Sequence, residues 1–126
     1  MIGYVEIIEL DDAKYVRYIV PNTHDPEVIQ PLRIRVRAAL NEASTTKLLM
    51  DFRDVDVPSF KLLDIDTLGR TLKKDIPECS RLVLLCQDST LEHHFQNIIS
   101  CSKGIDVAQF TNRSGAEAWL CGSASV

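Results

Sequence analysis

Five side chains able to do chemistry crowd the stretch DFRDVDVPSF, residues 51–60: Asp51, Arg53, Asp54, Asp56 and Ser59. Carboxylates grouped at the C-terminal end of a strand suit a hard cation such as Mg²⁺, and ligands favour that edge of an open α/β sheet. A receiver-type metal site needs a further acidic pair after its first strand. This chain opens instead on a hairpin-like run, so Asp54 and Asp56 read as solvated loop residues and no metal is expected. Ser59 precedes the amphipathic run FKLLDIDTLGRTL, which puts its hydroxyl at the start of a helix. Capping the first free N–H groups is the ordinary role of serine there. A phosphate on Ser59 would meet those same groups and the positive end of the helix dipole. Serine attack lacks support: no base lies nearby in sequence, and the nucleophile-elbow pattern G-x-S-x-G is absent.

The remaining reactive residues fall into no catalytic pattern. Glu92, His93 and His94 form EHH, but adjacent histidines on a helix point about 100° apart and share an ion poorly. A zincin needs His-Glu-x-x-His, which the chain lacks. The cysteines, Cys79, Cys86, Cys101 and Cys121, show no C-x-x-C spacing. Neither a zinc knuckle nor a redox pair is indicated, and Cys86 and Cys101 read as small buried hydrophobes. No glycine-rich phosphate loop of the GxGxxG or GxxxxGK[ST] type is present. The expectation is a protein without enzymatic activity or cofactor.

Charge narrows the partners. A net charge of −4 and no broad basic surface argue against nucleic acid. Arg33, Arg35 and Arg37, then Arg70, Lys73 and Lys74, form local positive stretches that read as solvated helix faces. The start, MIGYVEIIELDD, has no basic n-region or long apolar core, so no signal peptide is expected. No apolar run reaches the roughly 18–20 residues of a membrane span. Free thiols and no export signal make the cytoplasm the expected location.

These residues need elements to position them. GYVEIIEL and KYVRYIV are β-branched and aromatic runs split by the turn-forming DDA, which predicts an N-terminal β-hairpin. Asp25 and Pro26 then open a helix whose apolar stripe is Val28, Leu32, Val36 and Leu40, ending near NEASTT. KLLMDF is a strand, SFKLLDIDTLGRTLKKDI a helix and RLVLLC a strand apolar on both faces, as in the interior of a parallel sheet. Ser89 and Glu92 make a capping box for TLEHHFQNIISCSK, with Gly104 as its stop. IDVAQF is the last strand and RSGAEAWL a short final helix. The prediction is one α/β domain over residues 1–122, with 123–126 a frayed tail. Its sheet is mixed, mostly parallel and five-stranded, with about four helices. Leu32, Leu49, Leu68, Val83, Leu84 and Phe95 are the expected core.

KLLMDFRDVD running into DTLGRTL, then RLVLLCQD, then IDVAQFTNRSGAEAWL resembles, in order and spacing, the SpoIIAA-like family, the STAS-type relatives of anti-sigma-factor antagonists. The resemblance implies a βα superhelix with a non-catalytic regulatory or protein-binding role. It also implies that a serine opening the helix after the DFRDVD-like strand is switched by phosphorylation; Ser59 is the residue at that point. Its surroundings, VPSF, differ from the Asp-Ser-Ser-Gly type of stretch in which such a serine sits. The expected contact region for a protein partner is therefore Arg53, Asp54, Asp56, Ser59 and Phe60. The competing expectation is a small apolar molecule or lipid held in a pocket at the sheet edge. If strands follow in sequential order, right-handed crossovers tend to put the helices on one face. The other face, over Tyr4, Ile8, Tyr15 and Ile19, is then expected to stay partly uncovered and to form a homodimer.

Overall fold

The computed structural model describes residues 3–10, 13–23, 25–54, 74, 76–87 and 104–121. The hairpin comes first: β1 (Tyr4–Leu10) and β2 (Ala13–Ile19) pair antiparallel from Tyr4↔Ile19 to Leu10↔Ala13. Gly3 ahead of it is fixed by space, because a Cβ there would lie 2.5 Å from the Ile19 carbonyl oxygen and 2.6 Å from Pro21 Cδ.

Helix α1 spans Pro26–Ala43. Asp25 caps it, its Oδ1 accepting the Glu27 N–H at 3.0 Å, and Pro26 takes the first position, where a missing N–H is harmless. The expected stripe is present: Leu32, Val36 and Leu40 are buried, joined by Ala39 and Ala43, with Val28 at its margin. The helix stops at Ser44, which adopts the left-handed conformation at φ 52, and the Thr45 N–H turns back to the Leu40 carbonyl at 3.1 Å.

Strands β3 (Lys47–Asp51), β4 (Arg81–Leu85) and β5 (Asp106–Phe110) continue the sheet in parallel. The order is β1-β2-β3-β4-β5, with β2 and β3 parallel. Side chains alternate between two faces. On the first face Val16, Tyr18, Leu48, Met50, Leu82 and Leu84 form one buried cluster with Leu32, Val36 and Leu40 of α1, which rides over β1 and β2. On the second, Tyr15, Leu49, Val83 and Leu85 pack against helix α2 (Arg113–Leu120) through Ala116 and Leu120. Asn112 caps α2, accepting the Gly115 N–H at 2.7 Å.

Two helices lie among the described residues; the two others expected, over 59–76 and 90–103, with Leu68 and Phe95, fall largely outside them. One expectation needs adjustment. The order is sequential, yet α1 and α2 lie on opposite faces. The reason is positional: α1 joins two parallel strands and obeys the crossover rule, whereas α2 follows β5 and joins no further strand among the described residues. The second face is accordingly less open than expected. Tyr15 and Ile19 are buried and Ile8 half-buried, leaving Tyr4 at 45% exposure. Leu32, Leu49, Val83 and Leu84 are buried as expected.

Candidate functional site at the end of β3

Asp51 closes β3 on the second face, two residues beyond Leu49, and is buried at 3% exposure. A buried carboxylate is costly unless it is paired and hydrogen-bonded. Here Arg53 donates three times, from its backbone N–H to Oδ1 at 3.0 Å, from Nε to Oδ1 at 3.0 Å and from Nη2 to Oδ2 at 2.8 Å. Arg17 on β2 adds a fourth bond, Nη2 to Oδ2 at 2.9 Å. The other arm of Arg17 donates to Glu6 Oε1 at 2.8 Å, its direct cross-strand partner on β1. Three neighbouring strands are thus tied by a ladder of alternating charge, Glu6–Arg17–Asp51–Arg53. Within it the Arg17 Nε is buried and has no hydrogen-bond partner among the described residues.

Burial by itself pushes Asp51 up, but the bonds from Arg53 and Arg17 outweigh it and hold the carboxyl below its usual range. Burial also opposes the charge on Arg17, and Glu6 and Asp51 reverse that, so its guanidinium is held more firmly protonated than usual. A carboxylate so engaged makes a poor general base, since its lone pairs face cations and its affinity for a proton is lowered. It is equally ill-placed to hold Mg²⁺. Among the described residues no group of three His, Cys, Asp or Glu side chains could hold a metal ion.

One turn of α2 supplies a second polar group on this face. The Tyr15 hydroxyl donates to Glu117 Oε2, and Arg113 approaches both, Nη2 to the hydroxyl and Nε to Oε2, each at 3.4 Å. Burial and the bond to Glu117 push the Tyr15 phenol up to about 12, so it stays neutral.

Of the expected contact residues, Arg53 is the hinge between the buried ladder and the surface: its side chain grips Asp51 yet remains 38% exposed. Asp54 beside it is exposed. Asp56, Ser59 and Phe60 lie outside the described residues. Sequence reasoning passed over Arg17 and Glu6. The signal was there in KYVRYIV, because alternation sets Arg17 on the face of Tyr15 and Ile19, and an arginine on an apolar face needs a carboxylate. On α1, Arg37 is tied to Glu78, Nε to Oε1 at 3.0 Å, which consumes part of the basic stretch noted in the sequence.

At the opposite end of the parallel strands lies a groove of about 1030 Å³, walled by Leu10, Lys14, Thr45, Lys47, Glu117 and Cys121 among others. Its lining mixes small apolar groups with charges and hydroxyls. Cys79 and Cys86 lie in the core and Cys121 is partly exposed. No helix among the described residues is long and apolar enough to cross a membrane.

No protein-family model matches the chain, and no curated protein does so. A crystal structure matches it over nearly its whole length: an uncharacterized protein from the DUF3478 family with a SpoIIAA-like fold, from Shewanella loihica PV-4. The two share 20% identity at a TM-score of 0.67, covering 96% of this chain and 97% of that one. The hairpin, the sequential parallel strands and the closing helix of this chain are therefore a SpoIIAA-like fold.

Proposed function

We propose that the chain is a non-catalytic regulatory domain of STAS type that binds a protein partner in the cytoplasm, through the segment leaving β3. The observation that carries this reading is the grip of buried Asp51 on Arg53. It anchors the second residue of that segment by backbone and side chain together, while Arg53 and Asp54 still meet solvent. A surface for recognition gains from such preorganisation, because less conformational freedom is lost on binding. The same bonds remove the best-placed carboxylate from acid–base work, which favours binding over catalysis. Ser59, six residues on from Arg53, is the candidate for phosphate control of that contact.

The test compares proteins retained from native cytoplasm by the unaltered chain, by Asp54→Lys and by Ser59→Asp, quantified by mass spectrometry. A partner held by the first and lost by the altered segment supports the reading. A small apolar molecule retained in native mass spectrometry would favour a ligand-binding domain instead. Hydrolysis of phosphoester or acyl substrates that Asp51→Asn abolishes would overturn the non-catalytic assignment.

A further inference from the structure

Strand β1 stands at the edge of the sheet, with β2 on one side and no strand on the other among the described residues. Which of its backbone groups are free follows from the neighbouring ladders. The Val20 N–H donates to the Asp51 carbonyl, so even-numbered residues of β2 turn their backbone toward β3 and odd-numbered ones toward β1. The pairs Tyr4↔Ile19, Glu6↔Arg17, Ile8↔Tyr15 and Leu10↔Ala13 are therefore the hydrogen-bonded ones. The N–H and C=O groups of Val5, Ile7 and Glu9 point outward. Edge strands are usually blunted by charge, proline, a bulge or a short length. This one runs seven residues in unbroken register without proline or bulge; of its two charges Glu6 is paired with Arg17 and Glu9 lies near the end, and Tyr4 and Ile7 are exposed large apolar side chains.

We propose that β1 is a self-association edge, on which a second copy of this chain adds its own β1 antiparallel, with the two-fold axis at Ile7. The most central registers that bring outward-pointing residues opposite one another have their axes at Glu6, Ile7 and Ile8; axes nearer either end overlap less of the strand. An axis at Glu6 sets two carboxylates directly opposite, which opposes pairing. An axis at Ile8 carries Tyr4 and Val5 past the end of the partner's β1 at Leu10 and shortens the overlap. The axis at Ile7 uses the whole strand: Ile7 faces its own copy, Val5 faces Glu9, Glu6 faces Ile8 and Tyr4 faces Leu10. No two acids are opposed, and Glu6 is already neutralised by Arg17. Each α1 rides over β1 and β2, so pairing the two edges brings the two α1 helices side by side on one face of the joined sheet. The result is one ten-stranded sheet through two molecules.

This association does not depend on the partner proposed above and adds a surface remote from the segment after β3. Sedimentation equilibrium of the full chain from low to high micromolar concentration should show a monomer–dimer equilibrium. Ile7→Pro deletes an outward N–H that an isolated edge does not use, and should raise the dissociation constant at least about tenfold while leaving the circular dichroism unchanged. Ile7→Lys, which opposes two like charges across the axis, should do the same. Amide exchange on the unaltered chain needs no variant: Val5, Ile7 and Glu9 should gain protection as concentration rises, while Glu6 and Ile8 are protected throughout. A monomer at high micromolar concentration overturns the proposal. So does a dimer in which those three amides exchange as freely as in dilute solution.

Discussion

Asp51 illustrates how a single buried charge organises its surroundings without becoming reactive. Its carboxylate survives burial because Arg17 and Arg53 converge on it from two strands. Removing Arg17 takes one charge-assisted bond from Asp51 and leaves it to Arg53 alone, so Arg17→Met should destabilise the fold by about 1–3 kcal/mol in urea denaturation. The pH dependence has a defined sign. A carboxyl held below its unfolded value contributes stability in full above about pH 4 and loses it as pH falls through the folded value. Stability of the unaltered chain should fall on acidification over that range, and Asp51→Asn should flatten this part of the curve. An unchanged acid limb in Asp51→Asn would show that the ladder is not coupled to folding. At this scale the sequence was only half legible. The strand-end carboxylate stood out in KLLMDF, but its role depended on Arg17, thirty-four residues away, and only the β2–β3 register brings the two together.

The elements themselves were the most readable feature, because each follows from local periodicity. Alternating β-branched residues give the hairpin, and Leu32, Val36 and Leu40 give α1. What local pattern could not show was strain tolerated for tertiary reasons. Pro31 sits inside α1 on its exposed side, where it removes an N–H and crowds the preceding turn. Pro31→Ala should therefore stabilise the protein by about 1–3 kcal/mol, read as an upward shift of the urea midpoint. Ser44 holds φ 52, a conformation glycine adopts without Cβ strain, so Ser44→Gly should add about 0.5–1 kcal/mol. Gly3 is the converse. A Cβ would strike the Ile19 carbonyl, and Gly3→Ala should cost about 1–3 kcal/mol, either by shifting the hairpin or by straining its entry. A neutral Gly3→Ala would mean that the chain ahead of β1 is not held against β2.

For the molecule as a whole, the sheet separates two unequal cores. Among the described residues, the first face carries an eighteen-residue helix over β1 and β2, and the second rests on the eight-residue α2. Sequence reading anticipated strands apolar on both faces but not how the second would be covered, since nothing in a terminal helix obliges it to choose a side. That asymmetry predicts unequal local stability. An eight-residue helix is unstable alone, and α2 buries only Ala116 and Leu120 fully. It should open without the rest of the molecule unfolding, a low-energy unit beside a cooperative core. Native-state hydrogen exchange should find α2 amides exchanging well before those of β3 and the buried half of α1. Leu120→Ala should widen that gap, releasing α2 and uncovering Leu49, Val83 and Leu85, at a cost of about 2–5 kcal/mol spent mainly on the docked state of the helix. The exposed patch should then bind a hydrophobic dye while α1 keeps its protection. If α2 instead exchanges together with β3, the two faces form one cooperative unit, and the Tyr15–Glu117–Arg113 contacts hold the helix more tightly than its apolar side chains do.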